Sequence, residues 1–452
     1  MRQVQPRTTV AVMHQAPQRQ ILRLAVPAFL ALVAEPLFLL ADSAIVGHLG
    51  TAPLAGLGVA SAALLTAANV YVFLAYGTTS LVARRLGAGD DRAAVSAGLD
   101  GVWLSLLLGA VTAVATALWA RPLCELFGAS SDALDQAETY LRISALGIPA
   151  MLVVLAATGV LRGFQDTRTP LVAAVLGFGS NIGLNLLLVY GFDLGIAGSA
   201  WGTVLAQTGM AAGLLAVVTR QARRLHARLR PHPMGVLGAA LGGVPLLIRT
   251  LALRAAMLLT TWVAAGLGDV PLAAHQVAMT VFGFLAFALD ALAIAAQAIT
   301  GKALGAGDVD GTRAATRLML WWGLGAGILL GAVVLALHQV LPLLFTSDES
   351  VRRALAAALI VVALIQPVAG LVFVLDGVLI GAGDGVVLAV AQVLVLAAYV
   401  PVLLLVRAHL DGAATHTLTV LWWSFAAFMV FRLLALGWRA RTDRWLVTGA
   451  TR

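Results

Sequence analysis

Two carboxylates, Glu35 and Asp42, stand seven residues apart in a run of otherwise apolar side chains. Seven residues is two helical turns, so both acids lie on one face of a helix. Pro36, between them, frees a backbone carbonyl and kinks that helix. Asp100, Asn181, Asn185, Thr203 and Gln207 are embedded in further apolar runs of the same half of the chain. Together, the carboxylate of Asp42, the amides of Asn181 and Asn185 and the Thr203 hydroxyl can stabilise a charge, hold a proton or coordinate a small desolvated cation. Taken singly, an asparagine or threonine in such a run also serves as an interhelical hydrogen bond. The second half offers a different set. Arg249, Arg254, Asp290 and Asp376 are two charges of each sign, which predicts a mutually neutralised, structural ion network. Arg432, near the end of the last apolar run, is placed to snorkel to the membrane surface.

Other chemistry has no recognisable signature. The sequence holds no G-x-x-x-x-G-K-[ST] loop, no H-E-x-x-H and no paired Cys or His ligand spacing, so no ATP hydrolysis, metal, cofactor or catalytic residue is expected. Cys124 is the single cysteine and cannot form an internal disulfide. A membrane-embedded transferase or protease would need a nucleophile, base or metal set at one membrane face, and the short loops supply none.

The elements that position these residues must cross a bilayer. Of 452 residues, 61% are hydrophobic and 11% charged, with a mean hydropathy of +0.95, far from the usage of a soluble domain. Crossing about 30 Å of hydrocarbon takes roughly 20 apolar residues as helix. Such runs lie near 21–46, 54–82, 93–119, 134–162, 169–191 and 195–219, and again near 239–267, 272–300, 312–342, 351–380, 386–407 and 414–438. They are continuous rather than alternating, which excludes a β-barrel. The expected fold is an all-α integral membrane protein of about twelve transmembrane helices. On this map Asp42, Asn181, Asn185 and Thr203 fall at similar depth in the outer part of their spans, so they can converge.

The net charge of +8 is distributed by side. Alternate loops carry Arg84, Arg85 and Arg92, then Arg162 and Arg168, then the run from Arg220 to Arg230, then Lys302, Arg313 and Arg317. The opposite loops hold acids, among them Asp132, Asp135, Glu138, Asp269, Asp348 and Glu349. This asymmetry predicts cytoplasmic termini in a plasma (inner) membrane and assigns the basic charge to topology and lipid headgroups rather than nucleic acid. The expected organisation is a polar cytoplasmic segment at 1–20 with no cleavable signal, a six-helix bundle at 21–219 and a basic cytoplasmic linker at 220–238. A second bundle follows at 239–438, then a cytoplasmic tail at 439–452.

The two bundles are copies. Leu86-Gly87-Ala88-Gly89-Asp90 recurs 218 residues later as Leu304-Gly305-Ala306-Gly307-Asp308. At the same offset Pro27 maps to Pro245, Pro149 to Pro367, and Gly159-Val160-Leu161 to Gly377-Val378-Leu379. Six spans per copy give both halves the same orientation, so they are parallel repeats with a central cleft, suited to alternating access. The L-G-A-G-D loops read as tight turns, since no P-loop lysine accompanies them. The repeat does not preserve the ionisable residues. Asp42 maps to Thr260, Asp376 to Thr158, Asn181 to Tyr399 and Asn185 to Leu403.

Several local stretches bear a family resemblance. These are Glu35-Pro36-Leu37 with Asp42, and Ala44-Ile45-Val46-Gly47-His48-Leu49-Gly50 on the first span. Gly159-Val160-Leu161-Arg162-Gly163 with Asp166-Thr167-Arg168, Leu272-Ala273-Ala274-His275-Gln276, and Leu375-Asp376-Gly377 add to them. Over nearly the whole chain these resemble the multidrug and toxic compound extrusion family, in its DinF-type branch. The resemblance implies a secondary active antiporter that exports amphipathic or cationic organic compounds in exchange for H⁺ or Na⁺. Asp42 then matches the first-helix aspartate that couples to the ion, with Asn181 and Thr203 around it. Glu35 and Asn185 complete the candidate ion-coupling set. Some members carry an aspartate at the position of Asn185, and NorM-type members a glutamate on helix seven, where Arg249 and Arg254 are the only ionisable residues here. Both departures favour the proton. The implied partners are a small amphipathic molecule, the coupling ion and membrane lipid, acting on a monomer. A lipid-linked oligosaccharide flippase has similar paired bundles but a basic cavity, whereas the first half here is acidic.

Overall fold

The computed structural model describes residues 7–128, 131–409 and 413–451. All regular structure among them is helical, as hydrocarbon demands, because a helix satisfies each backbone group within its own segment. Contacts divide the chain into two compact units.

The first unit runs from Val26 to Val244 and includes Gly449–Thr451. It holds most of α1 (Arg7–Gly47), then α2 (Thr51–Tyr71), α3 (Phe73–Gly87), α4 (Asp91–Leu118), the short α5 (Ala120–Leu126), α6 (Ser131–Ala145) and α7 (Ile148–Gly163). After these come α8 (Arg168–Leu186), continued by a π-helical turn at Leu187–Gly191, α9 (Gly195–Arg224) and the start of α10 (Pro233–Gly266). The second unit takes Pro245–Thr448 and α1 up to Ala25. It contains the rest of α10, then α11 (Asp269–Gly305), α12 (Val309–Leu337), α13 (Leu341–Phe345), α14 (Glu349–Gly381), α15 (Gly385–His409) and α16 (Ala414–Arg441). Thus α1 and α10 each change unit beside a proline, Pro27 and Pro245, which the repeat offset pairs.

Among the described residues, 11 helices are long and apolar enough to cross a membrane, or 12 if α6 and α7, bent by 51°, form one span. The run expected as one helix at 134–162 is therefore broken. The break falls at Leu146 and Gly147, with Pro149 in the first turn of α7. The offset partners are Leu364 and Ile365, and there α14 passes through Pro367 unbroken. Glycine costs a helix about 1 kcal/mol relative to alanine, and only the first copy combines it with the proline's missing donor.

Packing repeats along with sequence. A Cβ on Gly159 would strike the Ala75 backbone, and one on Gly377 the Ala293 backbone. Each member of the second pair lies one offset beyond its counterpart, so both copies bring the same two helices into backbone contact. Helix ends repeat too. At the end of α3 the Asp90 N–H donates to the Arg85 carbonyl (3.1 Å), and at the end of α11 Asp308 donates to Ala303 (3.0 Å). Gly89 and Gly307 occupy the left-handed positions, at φ 79° and 77°. The aspartate side chains then cap the next helices by accepting from the N–H groups of Ala93 and Gly311, at 2.8 Å each. The L-G-A-G-D loops are therefore helix stop and start signals. The end of α7 closes likewise, Asp166 N–H to Leu161 O (2.8 Å), but with Gln165 at φ 61°.

The core of the first unit's α2, α5 and α6 region encloses Cys124 among Leu57, Ala60, Tyr140 and Leu141. The second unit is cored by aromatics, with Phe282 edge-on to Phe425 and Tyr399 tilted on Phe428.

Candidate functional site

Asp42 is carried by the last turns of α1 and is 2% exposed. Its oxygen Oδ1 accepts from Asn185 Nδ2 (2.8 Å) and Ser199 Oγ (2.6 Å), and Oδ2 accepts from the Tyr140 hydroxyl (3.3 Å). Asn185 Nδ2 also donates to Asn181 Oδ1 (2.9 Å), and Asn181 Nδ2 to Thr203 Oγ1 (3.1 Å). The four sequence-derived residues thus form one bonded chain across α1, α8 and α9. Turning the Asn185 amide over would set its oxygen against those of Asp42 and Asn181, so the bonds fix its orientation. Its own Oδ1 is buried and accepts no hydrogen bond.

Local backbone explains the convergence. Directly after Asn185 the helix widens into the π turn, a feature frequent at functional sites. That turn carries Tyr190, whose hydroxyl donates to the Ile45 carbonyl (2.6 Å) at the end of α1, where helical partners run out. Gly202 lets α9 close on α8, since a Cβ there would fall on the Asn185 side-chain oxygen.

Sequence reasoning missed Ser199 and Tyr140. Ser199 lies one helical turn before Thr203 on the same face, a legible signal. Tyr140 has no such signal, because it arrives from α6 through tertiary packing. Gln207 lies instead against Gly147 at the break between α6 and α7. Asp100 accepts from the His232 N–H (3.3 Å), and Trp103 Nε1 donates to the Leu229 carbonyl (3.0 Å), so this part of α4 holds the linker. The side chain of Glu35 lies outside the described residues.

In the second unit Arg249 and Asp376, two of the four charges expected to form a network, pair with each other, and Arg432 joins them. Asp376 on α14 accepts from Arg249 Nε (Oδ1, 3.0 Å) and Nη2 (Oδ2), and from Arg432 Nη2 (Oδ2, 2.6 Å). Arg432 is 6% exposed, so it joins this cluster rather than snorkelling to the interface. The attraction of a carboxylate on the facing helix outweighs the reach of its side chain to water. Arg254, which is exposed, and Asp290, half-buried, do not bond to Asp376; each has interactions of its own. At the offset equivalent of the Asp42 cluster, Thr260 and Tyr399 share a hydrogen bond (2.9 Å) with no charge.

The two carboxylates are therefore handled differently. Every donor to Asp42 is neutral, whereas Asp376 meets two guanidinium groups. Only the first arrangement leaves a buried carboxylate without a bonded countercharge.

The MatE family profile matches residues 27–187 and again 245–405, the second stretch being the first displaced by the repeat offset. Protein DETOXIFICATION 44, chloroplastic, of Arabidopsis thaliana is 34% identical over 94% of this chain and 83% of its own length. DNA damage-inducible protein F of Escherichia coli is 30% identical over 92% and 91%. A probable multidrug resistance protein NorM of Thermotoga maritima is 23% identical over 81% and 80%. Among solved structures, a Vibrio cholerae MATE transporter superposes with a TM-score of 0.86 at 22% identity, covering 96% of this chain and 99% of that one. A MOP superfamily transporter from Pyrococcus furiosus gives 0.84 at 23% identity, over 95% and 96%. With the profile spanning most of both repeats and two relatives at 30% identity or more matched over more than four fifths of their length, the chain belongs to the MatE family of multidrug and toxic compound extrusion transporters and is a multi-pass membrane transporter, not an enzyme.

Proposed function

We propose that this transporter exports amphipathic or cationic organic compounds in exchange for protons, by alternating access, with Asp42 as the coupling carboxylate. The observation that carries the reading is the neutral hydrogen-bond cage around Asp42. Protonation neutralises a dehydrated group and makes it cheaper to carry through an occluded state. Asn185 turns its N–H₂ group to Asp42 Oδ1, whereas a Na⁺ bound there would require an oxygen in that place. Asn185, Ser199 and Tyr140 hold the carboxylate, Asn181 and Thr203 hold Asn185 in turn, and Glu35 stands two helical turns earlier in the sequence. Relatives named as multidrug resistance proteins support an organic substrate. The arginine-rich loops support a plasma (inner) membrane with cytoplasmic termini.

The test is efflux from proteoliposomes under a pH gradient in Na⁺-free buffer, against an Na⁺ gradient at fixed pH. Transport under the pH gradient alone is expected. Transport driven by Na⁺ and absent with the pH gradient would reject the proton.

A further inference from the structure

The segment that follows α16 does not repeat its counterpart in the first copy. The offset pairs it with the linker after α9, setting Val447 against Leu229 and Ala450 against His232. The linker is held inside its own unit, where Trp103 donates to the Leu229 carbonyl and Asp100 accepts from the His232 N–H. On α12 the corresponding residues are Trp321 and Leu318, and a leucine side chain accepts no hydrogen bond. The second copy therefore lacks half of this anchorage.

The segment is fixed elsewhere, at both of its ends. Within the second unit, Arg313 Nη2 donates to Asp443 (2.9 Å), Arg439 Nε to Asp384 (2.6 Å), and the buried Trp445 from Nε1 to the Ala440 carbonyl (3.1 Å). From Gly449 to Thr451 the segment belongs to the first unit. There Arg84, near the end of α3 and 3% exposed, donates from Nε to the Gly449 carbonyl (3.2 Å). Lys302, the repeat partner of Arg84, is exposed. Gly449 turns the chain at φ 108°, where a β-branched residue is strained, although a Cβ there would meet nothing closer than the Thr451 carbonyl oxygen at 4.0 Å. Trp445 and Gly449 are four residues apart, so the chain between them reaches at most about 14 Å.

We propose that residues 446–451 are a latch, docked on Arg84 through Gly449 and drawn off it when the units move during transport. An ion pair and a buried indole hold the Trp445 end, whereas Gly449 offers a main-chain carbonyl that water can replace, so the Arg84 end parts first. While docked, the latch opposes the movement and slows the cycle. It rests on the alternating access of the proposed function, but not on the identity of the coupling ion.

The full chain in liposomes is spin-labelled at Arg92→Cys and Thr451→Cys, both exposed positions of the first unit, while Cys124 stays buried. At rest the pair should give one narrow distance. Gly449→Val should spread it, because the side chain strains the turn without striking a neighbour. With ethidium present and a pH or Na⁺ gradient driving its efflux, the wild type should gain a second, longer distance. Gly449→Val, and a chain stopped after Trp445, should each export ethidium at least about twofold faster, with melting temperatures within a few degrees of the wild type. A broad distance at rest would overturn the latch, as would a narrow one that persists through turnover or efflux that is unchanged or slower in these variants. Should neither gradient drive ethidium out of the wild-type liposomes, the proposed export fails. The latch is then decided at rest, supported by a narrow distance that Gly449→Val spreads and overturned by a broad one.

Discussion

Asp42 and Asp376 are the same side chain at similar burial, 2% and 6% exposed, and their surroundings assign them opposite consequences on substitution. Replacing Asp42 with Asn removes only a charge that neutral donors were holding. Asp42→Asn should reduce ion-driven efflux in proteoliposomes to background while the melting temperature stays within a few degrees, since the amide is isosteric and cheaper to bury. Retained transport would remove Asp42 from the coupling role. Asp376→Asn strands two buried guanidiniums and should destabilise by about 3 kcal/mol. An unchanged melting temperature would show that Asp376 is not what neutralises them. The sequence made the Asp42 set legible because a carboxylate and two amides are conspicuous in apolar spans, and α8 and α9 place them at one depth. It did not reveal Tyr140, whose approach depends on how α6 packs. Nor did it reveal the partner of Arg432, because sequence position near a helix end suits a snorkelling arginine and an ion-paired one equally.

Helix boundaries were read more easily than helix interruptions. Apolar run length alone located the spans, since hydrocarbon thickness sets that length. The α6–α7 bend was not legible: Pro149 and Pro367 look alike, and the broken copy differs beside its proline by Gly147 where the continuous one has Ile365. The helix stops carry a comparable asymmetry. Gln165 at φ 61° occupies the left-handed position that Gly383, at φ 71°, fills in the other copy. A left-handed residue with a Cβ is strained, so Gln165→Gly should stabilise by about 0.5–1 kcal/mol, partly offset by glycine's greater freedom when unfolded. Gly383→Gln should destabilise by a similar amount. Both are measured as melting-temperature shifts of the purified protein, and a fall for Gln165→Gly would show that contacts of the glutamine outweigh its backbone strain.

Duplication is the property of the whole molecule that sequence exposed most fully, because Gly and Pro at turns and close approaches are fixed by backbone geometry in both copies. The polar residues, free of that constraint, differ between them. The proposed orientation rests on charge. Single cysteines introduced between Arg220 and Arg230 should react with an impermeant thiol reagent only when the cytoplasmic side is exposed, and labelling from outside in intact cells would invert the topology. Such experiments depend on the one native thiol remaining silent. Cys124 is fully buried, and that burial also pushes its thiol above the ordinary range, so the nucleophilic thiolate is scarce. The folded protein should therefore ignore maleimides at neutral pH and take up one label per chain on heating. The wild-type chain serves as its own unlabelled background and, with a fluorogenic maleimide, as its own thermometer. Because Cys124 packs with Tyr140, the dye reports the loosening of the same core that holds a donor to Asp42.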